Sequence, residues 1–214
     1  MCEICPSQYR FPPRGESYSI QGMEDRTVTS REFLFLIGSA RAGGNTELLA
    51  RRAAEVLPGS FKQNWLSLID HPLPLFEDIR HEDGLEYRIN NEQERLLLEA
   101  TLASTDIVIV SPVYWYSVTT SIKLYLDHWS GWMRLDGFGF RKRMAGKRMW
   151  CVTVVSDEDF SAATPLIETL RMSAEYMKMH FAGTLTGYGN RPGDVLNDPA
   201  SLERAERFFA ETVS

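Results

Sequence analysis

The segment Asp106-Ile107-Val108-Ile109-Val110 carries β-branched residues on both of its alternating sides, so it presents apolar surface whichever way it faces. Runs of this kind form strands covered on both faces, which occur in parallel sheets layered between helices. Four more apolar runs read as strands: Phe33 to Ile37, Phe61 to Leu68, Met149 to Val155 and Phe181 to Thr186. Helical spacing of apolar residues predicts helices over Thr46 to Leu57, Asn91 to Ser104, Thr119 to Trp132, Thr164 to Met179 and Pro199 to Thr212. Pro58-Gly59 ends the first of them. Parallel neighbours need crossover connections, so strict strand–helix alternation implies one parallel sheet with helices on both faces. For five strands the expected order is the doubly wound, flavodoxin-like 2-1-3-4-5.

Three stretches fall outside this alternation. Residues 1–30 hold Pro6, Pro12, Pro13 and Gly15 without sustained periodicity and read as an irregular N-terminal arm, leaving residues 31–214 as one domain. Asp70 to Asn90, rich in Pro, Asp, Glu and His, reads as an excursion at the rim, extended at Pro72-Leu73-Pro74-Leu75-Phe76. Arg134 to Arg148 reads as a basic and aromatic loop.

Composition narrows the function classes. With 43% hydrophobic and 24% charged residues over 214 positions the chain is an ordinary globular one. A net charge of −6 without a Lys/Arg block argues against a nucleic-acid surface. No apolar run approaches a membrane span, and Met1-Cys2-Glu3-Ile4-Cys5-Pro6 lacks the features of a signal peptide, so a cytoplasmic location is expected. Three cysteines make no disulfide framework; Cys151, within a strand run, is expected to be a buried thiol. Cys2 and Cys5 have the spacing of half a zinc site with no second pair, and the alternative is an exposed tail. The four histidines show no ligand spacing.

In a doubly wound sheet ligands bind beyond the carboxyl ends of the strands, at the switch point between strands one and three. Two loops lie there. After strand one comes Gly38-Ser39-Ala40-Arg41-Ala42-Gly43-Gly44-Asn45-Thr46, a glycine-rich turn opening a helix, where unpaired N–H groups and dipole favour an anion. Gly44-Asn45 stands where a nucleoside-triphosphate loop needs Lys and Ser or Thr, and Phe61-Lys62-Gln63-Asn64-Trp65 offers no acid for a dinucleotide ribose. What remains, Ser39, Asn45, Thr46 and the guanidinium of Arg41, suits a phosphate monoester. The plain alternative is that Asn45 or Thr46 N-caps the helix and Arg41 is a solvated charge. After strand three comes Ser111-Pro112-Val113-Tyr114-Trp115-Tyr116-Ser117. Three consecutive aromatics cannot all point inward, so part of this loop is exposed beside the phosphate loop. A ligand with a phosphate at one end and a flat ring at the other, such as FMN, fits the pair.

These two loops, together with Lys123-Leu124-Tyr125-Leu126-Asp127 on the following helix, make the chain from Glu32 onward resemble the NAD(P)H-dependent FMN reductase branch of the flavodoxin superfamily. The resemblance implies that Ser39, Arg41, Asn45 and Thr46 hold the FMN phosphate, that Pro112, Val113, Tyr114 and Trp115 line the isoalloxazine, and that Tyr116 faces either the ring or the substrate space. Ser156 is a further contact by the same resemblance. In the family a small or glycine-rich turn follows strand four; here Asp157-Glu158-Asp159 stand there and are expected to face solvent. Lys123 and Asp127, four apart on a helix, read as a structural ion pair. Arg191, on the loop after strand five, reads as a solvated turn residue or a contact for a nicotinamide phosphate.

The activity implied is transfer of reducing equivalents from NAD(P)H through FMN to a small, flat acceptor such as a quinone or another flavin. No side chain is assigned a catalytic role, because the flavin carries the chemistry. Two alternatives are an electron carrier without nicotinamide chemistry, against which Arg41 counts because flavodoxins proper resemble an uncharged, Thr-rich phosphate loop, and a relative that has lost FMN. The apolar stretch Trp129, Trp132, Met133, Phe138 and Phe140 leads to the expectation of a homodimer, possibly a higher assembly, in which this region roofs the partner's flavin.

Overall fold

Side-chain alternation along each strand divides the core in two. The computed structural model describes residues 31–157 and 159–210, so the N-terminal arm with Cys2 and Cys5, residue Glu158 and the last four residues lie outside the described residues. Strand β1 (Glu32–Ile37) sends Leu34 and Leu36 to one face and Phe33, Phe35 and Ile37 to the other. The same division holds in β3 (Asp106–Val110), with Ile107 and Ile109 opposed to Val108 and Val110, and in β4 (Arg148–Val155), with Met149 and Cys151 opposed to Trp150, Val152 and Val154. Edge strands β2 (Lys62–Ser67) and β5 (His180–Tyr188) complete a five-stranded, all-parallel sheet in the order β2-β1-β3-β4-β5. The doubly wound order read from the alternation is the order observed.

Helices cover both faces. Leu49, Ala50 and Ala53 of α1 (Asn45–Ala54) and Ala205 of α6 (Pro199–Phe208) close the layer containing Phe33 and Phe35. The opposite layer takes Leu97 and Leu98 from α2 (Glu92–Ala103), Ile122, Tyr125, Trp129 and Trp132 from α3 (Thr120–Trp132), and Leu166 and Leu170 from α5 (Thr164–Tyr176). Asn91 caps α2 by accepting from the Glu94 N–H at 2.8 Å. Residues 70–90 contain no helix or strand. They are fastened by a buried network: Glu94 accepts from the Asn90 N–H at 2.8 Å and from the Trp132 indole at 3.0 Å, while His128 pairs with Glu94 and with the Pro74 carbonyl at 2.9 Å.

Two expectations need correction. The basic loop contains a short helix, α4 (Phe140–Met144), because Phe140 and Met144, one turn apart, both bury in the core while the intervening Arg141, Lys142 and Arg143 face water. The aromatic stretch packs into the core of its own chain, so it is not the exposed apolar surface on which the expectation of a homodimer rested. Trp129, Trp132 and Phe140 are 4%, 1% and 1% exposed, and Met133 and Phe138 pack against the same layer. The edge-to-face contacts of Trp132 with Tyr125 and Phe140, at centroid distances of 5.6 Å, satisfy these rings within one chain. Among the described residues no helix is long and apolar enough to cross a membrane.

Candidate functional site

The doubly wound order brings the ends of β1 and β3 side by side, and Gly38 fixes how their loops meet. Its N–H donates to the Val110 carbonyl at 2.9 Å, and its own carbonyl accepts from Ser121 Oγ at 3.2 Å. A Cβ on Gly38 would lie 2.4 Å from Ile122 Cγ1 and 2.5 Å from Thr119 Oγ1, so α3 approaches this close only because residue 38 lacks a side chain. Ser111 Oγ accepts from the Thr119 N–H at 3.1 Å and closes the second loop against the start of α3.

With the loops so placed, Ser39, Arg41, Gly44, Asn45 and Thr46 line one cleft with Pro112, Val113, Tyr114 and Ser156; its volume is about 300 Å³. Val154, Gly189 and Asn190 complete the wall. Trp115 and Tyr116 line an adjoining cleft of about 330 Å³, opposite Val155, Ser156, Asp157 and Ala162, and the two clefts share Val113 and Ser156. The ten residues singled out from the sequence thus meet in two connected clefts.

Individual side chains also make contacts that the sequence did not show. The N-cap of α1 is Gly44, and no side chain caps it, so neither Asn45 nor Thr46 fills the capping role and the first-turn N–H groups stay available to an anion. Glu47, an acid in that turn, would repel an anion. It is instead held by Arg51 at 2.7 Å and accepts from the Gly43 N–H at 2.9 Å. Ser39 Oγ accepts from the Arg41 N–H at 3.1 Å and donates to the Arg41 carbonyl at 2.9 Å, shaping the turn, while Arg41 itself is exposed on the cleft. Asn45 is committed elsewhere: Nδ2 donates to the Arg191 carbonyl and Oδ1 accepts from the Gly193 N–H, both at 2.9 Å. This clasp brings Gly189 and Asn190 against the cleft. Asp194 steadies the same loop by accepting from the Arg191 N–H at 2.6 Å. The position of this loop on the rim followed from the parallel sheet, but the residues lining the cleft are Gly189 and Asn190 and not Arg191, which is exposed.

The acids after β4 divide. Asp159 turns back to accept from the Ser161 N–H at 2.9 Å, capping a short 3-10 turn, and these bonds hold its carboxyl below the usual range. Asp157 is exposed at the rim of the second cleft, where its Oδ1 accepts from the Asp159 N–H at 3.0 Å. Lys123 and Asp127 form the expected surface pair at 2.5 Å.

The second loop is a tight turn. Tyr114 and Ser117 exchange backbone hydrogen bonds at 3.0 and 3.1 Å, and the two residues between them, Trp115 and Tyr116, have φ of 51° and 64°. Positive φ at both central positions is the mark of a type I′ turn. Trp115 is 94% exposed and Tyr116 61%.

The donor set and shape agree with a phosphate-bearing flat cofactor: an uncapped helix N-terminus, an exposed guanidinium beside it, and an aromatic-walled slot continuing from the same cleft. Among the described residues no cluster of His, Cys, Asp or Glu is arranged to hold a metal.

Comparison with known proteins agrees. Residues 32–188 match the profile of the NADPH-dependent FMN reductase family, a span running from the first residue of β1 to the last of β5. The Bacillus subtilis protein YwqN, named as an NAD(P)H-dependent FMN-containing oxidoreductase, is 32% identical over 173 residues, covering 80% of this chain and 93% of that protein. An iron-sulfur flavoprotein of Methanocaldococcus jannaschii is 28% identical over 180 residues, covering 78% of this chain and 88% of the relative. This sequence has three cysteines, fewer than the four thiolates of an all-cysteine cluster, and Cys151 is buried in β4. Among solved structures, the Trp repressor binding protein of Bacillus subtilis superposes with a TM-score of 0.65 at 27% identity, covering 82% of this chain and 96% of that one. Every strand that builds the clefts lies inside the matched span, and the chain therefore belongs to the NADPH-dependent FMN reductases, oxidoreductases with FMN as cofactor and NAD(P)H as co-substrate.

Proposed function

We propose that the two connected clefts hold FMN, with its phosphate on the N-terminus of α1 and its ring along Pro112 to Tyr116, and that the enzyme delivers reducing equivalents from NAD(P)H to a flat acceptor such as a quinone or a second flavin. One observation carries this reading: the polar loop after β1 and the aromatic loop after β3, distant in sequence, wall the same cleft.

The protein's part is to bind and orient. Arg41 offers two parallel N–H donors to a phosphate, the uncapped amides of α1 add backbone donors, and Ser39 and Thr46 complete the polar end. Asn45 contributes by holding Gly189 and Asn190 in place through its clasp on the neighbouring loop. Pro112 and Val113 supply an apolar surface for the ring, and Ser156 sits where the two clefts join. FMN held there would supply the hydride and electron chemistry, so the residues of this chain bind and orient and none is required as nucleophile or general base.

A visible absorption spectrum of the purified protein, followed by anaerobic addition of NADPH and then of a naphthoquinone, tests the proposal. A bound flavin spectrum that bleaches with NADPH and recovers with the quinone is expected. Arg41→Ala should weaken FMN binding about 10- to 100-fold, the loss of a charge-assisted hydrogen-bond pair. Protein that binds FMN without bleaching is an electron carrier, and protein that takes up no FMN overturns the assignment of the clefts.

A further inference from the structure

Residues 70–90 contain neither helix nor strand, yet the segment is tightly built. Loops of this length in a compact domain are uncommon and usually carry function. Tyr87 organises this one: its hydroxyl accepts from the Ile79 N–H at 3.1 Å and donates to Asp78 Oδ1 at 3.2 Å, and its ring lies parallel to Phe76 at a centroid distance of 6.1 Å. A Cβ on Gly131 would lie 2.9 Å from Tyr87 Cδ1, so the ring is seated directly on the backbone of α3. Asp78 in turn accepts from Arg80 Nε at 2.6 Å, which fixes that guanidinium in the same cluster.

Between this loop and the residues after α3 lies a cavity of about 580 Å³, larger than either cleft assigned to FMN and sharing no lining residue with them. Four guanidiniums line it, Arg80, Arg88, Arg95 and Arg134, against the two carboxylates of Glu86 and Asp136, in a chain whose net charge is −6. Arg80 is committed to Asp78. The other three are not closely held. Arg88 stands 3.8 Å from Glu86 and Arg95 3.6 Å from Glu99, both beyond hydrogen-bond reach. Arg134 forms no ion pair among the described residues, and one of its nitrogens donates to the Ser130 carbonyl at 2.7 Å. Converging guanidiniums repel one another until an anion joins them, and their forked donors match the oxygens of a phosphate. Leu135 and Phe138 add apolar surface to the same cavity. We propose that this cavity is a second ligand site, independent of the FMN clefts, for a small organic phosphate: the dianionic head is held by Arg88, Arg95 and Arg134, and an apolar or aromatic body lies against Leu135 and Phe138. Glu86 and Asp136 confine the head to the guanidinium side and offer acceptors to hydroxyl groups on the body.

Calorimetric titration of the full-length protein with 1-naphthyl phosphate tests the site, with FMN in excess so that the clefts after β1 and β3 are filled, and at about pH 8, where a phosphate monoester is a dianion. One equivalent should bind. The uncharged 1-naphthol and the singly charged 1-naphthoate should each bind at least about tenfold more weakly. Arg95→Gln and Arg134→Gln should each weaken binding of the phosphate about tenfold or more, the loss of a charge-assisted hydrogen bond. Arg88→Gln, at a side chain 82% exposed, gives a third variant that leaves the core untouched. Arg207→Gln, which removes the same charge from α6 on the opposite layer, should bind as wild type does. Equal binding by wild type and by the three cavity variants overturns the proposal, as does equal binding of 1-naphthol, or no binding by the wild type up to about 1 mM probe. Binding that FMN displaces, or that Arg41→Ala abolishes while Arg134→Gln leaves it intact, places the probe in the FMN cleft and overturns the proposal too. A protein that takes up no FMN would leave this test standing, because Arg134 and Arg41 report on different cavities.

Discussion

Replacing Gly38 by Ala tests the joint on which the clefts depend. The new methyl group would sit 2.4 Å from Ile122 Cγ1, 2.5 Å from Thr119 Oγ1 and 3.1 Å from Ile122 Cδ1, where carbon contacts settle at about 3.5–4.0 Å. Neither side can yield easily. Ile122 is fully buried, and Thr119 is held through its N–H by Ser111. Residue 38 is itself held by Val110 and Ser121. Overpacking of this kind costs about 1–3 kcal/mol, and one strained or broken hydrogen bond adds about 1 kcal/mol, for a total of roughly 2–4 kcal/mol. At about 2–4 °C per kcal/mol for a domain of this size, the melting temperature should fall by roughly 5–15 °C. Thermal melts of the FMN-free protein read this directly, and FMN titration should show weaker binding because the two loops are pushed apart. Gly59→Ala is the matched control: its Cβ would meet nothing within 4 Å. If Gly38→Ala melts within about 2 °C of wild type, or no lower than Gly59→Ala, the account of the joint is refuted.

Asn45→Ala removes both bonds to the loop after β5, and at about 1 kcal/mol each should weaken FMN binding roughly 5- to 30-fold while speeding amide exchange at Gly193; weaker binding with unaltered exchange would show that Asn45 touches the phosphate itself. Burial pushes the Glu94 carboxyl up, but bonds from His128, the Asn90 N–H and Trp132 outweigh it and hold the group low; burial pushes His128 down, but Glu94 and the Pro74 carbonyl raise it. His128 therefore stabilises fully below its unfolded value of 6.5 and less as pH climbs through its raised folded value, while Glu94 stabilises above 4.5 and less as pH falls. The melting penalty of His128→Gln should be greatest between these two values and shrink above about pH 7, whereas a penalty constant from about pH 5 to 9 would contradict the pairing. Burial pushes the Cys151 thiol up to about 12, so mass spectrometry after thiol-reagent treatment at about pH 8 should find it unmodified in native protein and modified after unfolding.

Much of this architecture was legible because its signals are local. A strand buried on both faces shows itself in five residues, as Asp106 to Val110 does, and alternation with helical stretches then leaves little freedom in sheet order. The two ligand loops followed from that order. What escaped the sequence depends on partners far along the chain. Asn45 reads equally as a cap, a phosphate ligand or a clasp, and the choice is made by Arg191 and Gly193. Trp129, Trp132 and Phe140 announce apolar area but not whose surface it meets, and the faces of α3 and α4 turned inward decide in favour of their own core. The short helix at Phe140 was hidden by three consecutive basic residues, and the turn at Trp115 by side chains that seldom adopt its backbone shape.

The bonds from Asn45 to Arg191 and Gly193 span 146 and 148 residues. The wall they hold, Gly189 and Asn190, is therefore missing from a nascent chain until its last strand has left the ribosome. A chain truncated before residue 189 keeps the glycine loop but lacks this wall of the cleft. If the clefts hold FMN as proposed, added FMN should raise the melting temperature of the complete chain more than that of a chain ending before residue 189.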